Sequence, residues 1–180
     1  MMGKRSRFPR IDKDLYRTTD PKPVERLLPW LRPGASFVEP CVGWGDLVGP
    51  LTRAGHEIRG RYDLVPRYPG VEQLDARRLD AEHLRGADYI ITNPPWTREV
   101  LHELVDVLPR LAPTWLLFDA DWMHTCLAAT RMRHCTAIVS VGRVKWFRHS
   151  PHAATDNCCW YLFDAHAIAG AGPIFLRRAA

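Results

Sequence analysis

Residues 36–51 read SFVEPCVGWGDLVGPL. The run SFVEP (36–40) has the apolar, β-rich character of a short strand and carries an acid, Glu39, at its end. CVGWG (41–45) supplies Gly43 and Gly45, and DLVGPLTRAG (46–55) reads as a helix stopped by Gly55. Strand, glycine turn and helix form the opening unit of an α/β sheet. Glycines at such a turn take up positive φ and let the backbone approach a ligand.

The pattern continues in both directions. DPKPVERLLPWL (20–31) predicts a helix with Asp20 as N-cap, Pro21 at its first position, and an apolar face of Leu27, Leu28 and Leu31. After the glycine turn come expected strands at 57–63, 71–75, 88–92, 114–120, 137–147 and 158–165. Helices are expected at 81–86, 98–111 and 121–132. The predicted fold class is therefore α/β: a doubly wound, mostly parallel, seven-stranded sheet closed by one antiparallel strand. The last two strands lack an intervening helix, which favours antiparallel pairing. Residues 1–16 read as a basic lead-in, and 17–180 as a single domain with no room for a second.

Composition sets the outer bounds. The 180 residues are 46% hydrophobic and 25% charged, with a net charge of +5. No apolar run reaches membrane-spanning length, and no apolar segment follows the basic N-terminus as a secretory signal requires. Five cysteines without a C-x-x-C pair argue for a reducing, cytoplasmic setting over a disulfide framework. His149, His152, Cys158 and Cys159 do not have structural-zinc spacing, so no metal site is expected. Basic clusters at both ends and across 131–149 are either solvated surface or a polyanion-binding face.

Three successive expected strands end in acids: Glu39, Asp63 and Asp75. Asp63 lies roughly 20 residues beyond the glycine turn, where an acid accepts hydrogen bonds from ribose hydroxyls. Val48 stands where G-x-G-x-x-G has its third glycine, which disfavours a pyrophosphate. A cofactor with a ribose and no phosphate, S-adenosylmethionine (SAM), suits this pattern better than NAD. A plain turn with helix-capping acids is the alternative. A second motif follows the 88–92 strand: IITNPPW, in which Pro94 and Pro95 stiffen the chain between Asn93 and Trp96.

Together FVEPCVGWGDL and IITNPPW resemble the class I SAM-dependent amino-methyltransferases, closest to short phage-type adenine-N6 DNA methyltransferases. The resemblance covers about residues 16 to 164, including YRTTDPKPVERLL before the first strand and RVKWFRHSPHAATDNCCWYLF near the end. It implies that Glu39, Gly43 and Gly45, with Pro40 and Thr19 beside them, hold the methionine part of SAM. Asp63 would take the ribose hydroxyls and Asp75 the adenine amino group, with Leu64, Ala76 and Asn93 also expected at the cofactor. Asn93 and the Pro94 carbonyl would accept hydrogen bonds from the target amine, with Pro95 as support and Trp96 as a stacking face. Apart from the resemblance, the aromatic and basic run RVKWFRHSPH (143–152), with Lys145, Trp146, Arg148 and His152, reads either as a loop facing DNA or RNA or as strand core (Val144, Trp146) with a solvated edge. The sequence departs from that family in having no target-recognition domain, which leaves low or short sequence preference as the expectation. RNA or protein-glutamine methylation, and nucleic-acid binding without catalysis, remain alternatives.

Overall fold

The computed structural model describes residues 16–146, 153–167 and 172–176. Its sheet has eight strands: β1 (Ser36–Glu39), β2 (Glu57–Asp63), β3 (Glu72–Gln73), β4 (Tyr89–Thr92), β5 (Thr114–Asp119), β6 (Cys135–Arg143), β7 (Asn157–Phe163) and β8 (Ile174–Leu176). They lie side by side in the order β3-β2-β1-β4-β5-β7-β6-β8. Among the described residues only β7 runs against its neighbours, pairing antiparallel with both β5 and β6.

The expected antiparallel pairing of the last two expected strands is found, as β7 pairs antiparallel with β6 and inserts between β5 and β6. The strand number is corrected: the described residues form eight strands, because Ile174–Leu176 pairs parallel with β6 at Ala137–Val139.

The helices are α1 (Lys22–Leu27), α2 (Val48–Arg53), α3 (Ala81–Leu84) and α4 (Arg98–Val107). Asp20 Oδ1 accepts the Lys22 amide at 3.0 Å and the Glu25 amide reaches Pro21 O at 3.0 Å, so the first helical turn starts as the sequence predicts. The helix expected over 121–132 does not form. A 3-10 turn occupies Ala120–His124 and is capped by the Asp119 side chain. Here tertiary packing overrides propensity: Trp122 is driven edge-on into Phe118 (centroids 5.1 Å, 88°), and its indole N–H donates to His102 Nε2 at 3.1 Å.

Alternate strand residues feed two buried clusters, one on each face of the sheet. On one face α1 and α2 bring Val24, Leu27, Leu47 and Leu51 against Phe37, Ile91, Trp115 and Leu117. On the other, α4 brings Leu101, Leu104 and Val105 against Val38, Ile90, Leu116 and Phe118. Phe118 and Tyr161 stack across β5 and β7 at 4.3 Å. No helix among the described residues is long and apolar enough to cross a membrane.

Chain order determines where a ligand can enter. From β1 the chain winds outward through β2 and β3, then returns to the other side of β1 as β4. The carboxyl ends of β1 and β4 therefore diverge, and an open α/β sheet binds ligands at such a switch point.

Candidate functional site

A cavity of about 760 Å³ opens at that switch point. Its wall is made of strand ends and of the loops that leave them. Glu39, Pro40, Gly43 and Asp63 come from β1 and β2, Asp75 and Ala76 from the turn after β3, and Asn93 and Pro95 from the loop after β4. Six separate stretches of sequence thus meet here, including the lead-in at Tyr16–Thr18 and the α4 face at Val100 and Leu104.

Glu39 is 2% exposed, and its Oε2 has no hydrogen-bond partner. Burial pushes its carboxyl well above the usual range; Asp46 and Asp63 add to the rise, and a hydrogen bond from the Val48 amide opposes it.

Asp63 is held in place by two main-chain donors. Gly43 N–H reaches its Oδ2 at 2.7 Å, and Val65 N–H reaches its Oδ1 at 2.8 Å. Asp75 caps the turn that follows it, accepting from Arg77 N–H at 3.0 Å and from the Arg77 guanidinium at 2.6 Å. The Arg77 hydrogen bond holds its carboxyl below the ordinary value. Asp63 keeps lone pairs for a further donor, whereas each Asp75 oxygen is already contacted twice by Arg77.

The two glycines differ in role. Gly43 (φ +54°) has nothing within 4 Å of where a Cβ would stand, so it leaves the cavity wall open. At Gly45 (φ +77°) a Cβ would meet the Tyr68 ring at 2.6 Å, so this glycine makes room for the loop after β2.

Between them, Trp44 lies among cations. The Arg17 and Arg67 guanidinium carbons sit 5.2 and 4.9 Å from its ring centroid. Arg17 also grips Asp46 with two hydrogen bonds, 2.9 and 2.7 Å. Sequence reasoning missed Arg17, Trp44, Asp46 and Arg67. The Arg17–Asp46 pair is 29 residues apart in the chain, and only the fold brings it together.

The N-P-P-W loop is as tightly specified. Asn93 Nδ2 donates to Tyr16 O (3.2 Å) and Thr18 Oγ1 (3.1 Å), while its Oδ1 accepts from Trp96 Nε1 (3.1 Å). The Trp96 N–H is shared with Leu117 O at 3.2 Å. Pro94 is buried and Pro95 half-buried.

The remaining predicted residues separate clearly. Thr18 lines the cavity, while Thr19 is half-buried outside its wall. Leu64 lines it and is 59% exposed. Trp146, read either as facing nucleic acid or as strand core, is only 8% exposed; it packs edge-on against Trp96 (5.4 Å, 88°) and near Tyr16 (6.2 Å), and so belongs to the core. Lys145 is exposed, with its amide bound to Asp20 Oδ2 at 2.9 Å. Arg148 and His152 lie outside the described residues.

No protein-family model matches the chain, and no curated protein matches its sequence. Among solved structures the fold is similar to that of TrmN from Thermus thermophilus (14% identity over 79% of this chain and 47% of that one, TM-score 0.54). It is similar to a Listeria monocytogenes protein assigned as a class I S-adenosylmethionine-dependent methyltransferase (10% identity, 90% and 66%, TM-score 0.54). It is also similar to a modification subunit assigned to a type I restriction enzyme from Vibrio vulnificus YJ016 (13% identity, 89% and 46%, TM-score 0.52). The chain spans between 46% and 66% of the length of these three. At such identities the likeness is one of architecture: the chain has the Rossmann-like class I methyltransferase fold.

Proposed function

We propose that the cavity binds SAM and that the protein, a single catalytic domain over residues 17–180, methylates an exocyclic amine of a nucleic-acid base, with adenine N6 in DNA as the first candidate. One observation carries the reading: Asn93, with its carboxamide held from three sides, stands on the wall of the cavity that the buried, half-unpartnered Glu39 also lines.

The residues present suit SAM. Glu39 Oε2 is an orphaned acceptor that a cationic amino group would satisfy. Asp63 has lone pairs for ribose hydroxyls, and Leu64, Val65 and Ala76 offer apolar contact for a flat ring, with Asp75 at its edge. The volume of about 760 Å³ lies within the range of small-molecule sites, roughly 300–1,000 Å³. The three arginines of the wall favour this over a phosphate ligand, since Arg17 and Arg77 are engaged by carboxylates and Arg67 lies on Trp44.

When bound, SAM would supply an electrophilic methyl on a sulfonium. The chain's own task is to aim a poor nucleophile. An exocyclic amine has its lone pair delocalised into the ring. Asn93 Oδ1 and the Pro94 carbonyl would accept its N–H bonds, turn the lone pair toward the methyl, and stabilise the positive charge that grows on nitrogen. As the C–N bond formed the C–S bond would break to leave a neutral thioether, and the methylated nitrogen would give up one N–H proton to water. The stiff Pro94–Pro95 pair keeps the two acceptors from relaxing apart. The Trp96 ring would flank a base taken out of its stack.

Mass spectrometry of nucleosides tests this. Unmethylated DNA, single- and double-stranded, and RNA are incubated with the protein and SAM beside an Asn93→Ala control. N6-methyladenine from DNA with the native protein alone is the expected result. A methylated nucleoside from RNA alone moves the substrate. SAM binding without any transfer to nucleic acid defeats the reading in favour of a protein amide or of binding alone.

A further inference from the structure

We infer that Trp96 is a positioning residue whose indole N–H, more than its ring, sets which way the Asn93 carboxamide faces. This rests on the amine-transfer reading of the site. An asparagine amide has little preference of its own between its two flipped forms, because the terminal torsion is broad and roughly two-fold. Its neighbours must choose, and here they agree. Nδ2 faces the Tyr16 carbonyl, which can only accept, and the Thr18 hydroxyl, which can serve either orientation, while Oδ1 faces a donor, Trp96 Nε1.

A flipped amide would set its NH2 against the indole N–H and its oxygen against the Tyr16 carbonyl. Both contacts would then be like against like. Remove the indole N–H and one of the two disappears. The flipped form would present a donor where the target amine requires an acceptor.

The indole is itself well placed for the task. Its N–H is anchored on Leu117 O in β5, and its ring is wedged edge-on against Trp146 and tilted toward Tyr16 (6.5 Å). Tyr16 supplies both a carbonyl to Asn93 and a ring to the Trp96–Trp146 pair. The contacts therefore close on themselves, from Asn93 through Trp96 and Trp146 to Tyr16 and back. The Oδ1 lone pair that the indole leaves free is the one available to an incoming N–H.

Trp96→Phe deletes the donor but also alters the packing, so a second variant separates the two. The isostere 3-benzothienylalanine at position 96 keeps the fused-ring shape and replaces N–H with sulfur. The expected result is a kcat about tenfold lower, the worth of one buried hydrogen bond. SAM affinity by calorimetry and KM for the nucleic acid should stay within about twofold of the native protein, as ground-state binding does not depend on the lost bond. A native kcat in the isostere overturns the inference.

If the native protein methylates no base, the proposed function fails first, and NMR then decides this point alone. A sharp, slowly exchanging Asn93 side-chain amide pair that broadens in the isostere supports the inference, and an identical pair in both proteins overturns it.

Discussion

The ends of β1 and β4 are neighbours in space and opposites in design. At the first, Glu39 is buried with an oxygen that nothing partners, and burial pushes its carboxyl up. At the second, every polar atom of the Asn93 carboxamide is matched by Tyr16, Thr18 or Trp96. Burying an unpaired acid is costly. A matched amide carries no such strain. In the proposed reading the β1 end is left for a ligand to complete, whereas the β4 end is complete beforehand and is built to hold a direction. One should govern binding and the other turnover.

Asn93→Ala is the severest test of that division. Transfer should fall by about a thousandfold or more, the scale of losing an acceptor aimed at developing charge. SAM affinity should stay within about twofold of native by calorimetry. A dissociation constant that moves as far as kcat would erase the distinction between the two strand ends.

The two glycines of the β1 turn sharpen the comparison from within. Gly45→Ala has to displace the Tyr68 ring and hold φ near +77°. It should cost about 2–3 kcal/mol, seen as a lower denaturation midpoint. Gly43→Ala meets only the backbone cost, about 1 kcal/mol, and should weaken ligand binding more than stability.

Glu39→Gln should move binding and stability in opposite directions. SAM affinity should drop about tenfold, the value of a charged hydrogen bond. The ligand-free protein should gain stability at pH 8. The unfolded chain loses the Glu39 proton near the ordinary value of about 4.3, while the folded chain retains it to higher pH. Native stability therefore falls as pH rises through that window, and the variant lacks this decline. Melting curves from pH 4 to 8 should show the gap opening upward.

His102 gives the smallest effect and serves as a control away from both strand ends. Burial, with Arg131 nearby, lowers its pKa, and its neutral Nε2 accepts from Trp122. Stability should be full above the ordinary histidine value of about 6.5, then fall by about 1 kcal/mol or less as pH drops through the lowered one. His102→Gln should flatten that slope in urea titrations without changing SAM affinity.

Much of this was legible in the chain, for local reasons. Gly43 and Gly45 are both at positive φ, and Glu39 and Asp63 end their strands at the cavity because strand ends in a parallel sheet share one edge; Asp75 reaches it from the turn after β3, not from a strand end. Helix α4 was readable from its apolar spacing alone. What escaped were features made by distance in the chain. Strand β8 is three residues long and, among the described residues, pairs with the far strand β6 alone. Trp146, beside Lys145, read equally as a binding residue or as core until the fold set it against Trp96. Trp44 lies inside the very motif that revealed the fold. Its meaning depends on Arg17 and Arg67, which arrive from either side of it in sequence.

That last cluster has a kinetic side. Arg17, Trp44, Asp46 and Arg67 tie the lead-in, the glycine turn and the loop after β2 together on the cavity wall, and the Arg17 side chain is 44% exposed. Exposed ion pairs are worth about 1 kcal/mol or less and are screened within about 8 Å at physiological salt. Glu39, deep in the cavity, is shielded from that screening. Ionic strength should thus act as a dial on residence time, speeding the exit of a bound molecule far more than it changes the contacts that molecule makes inside.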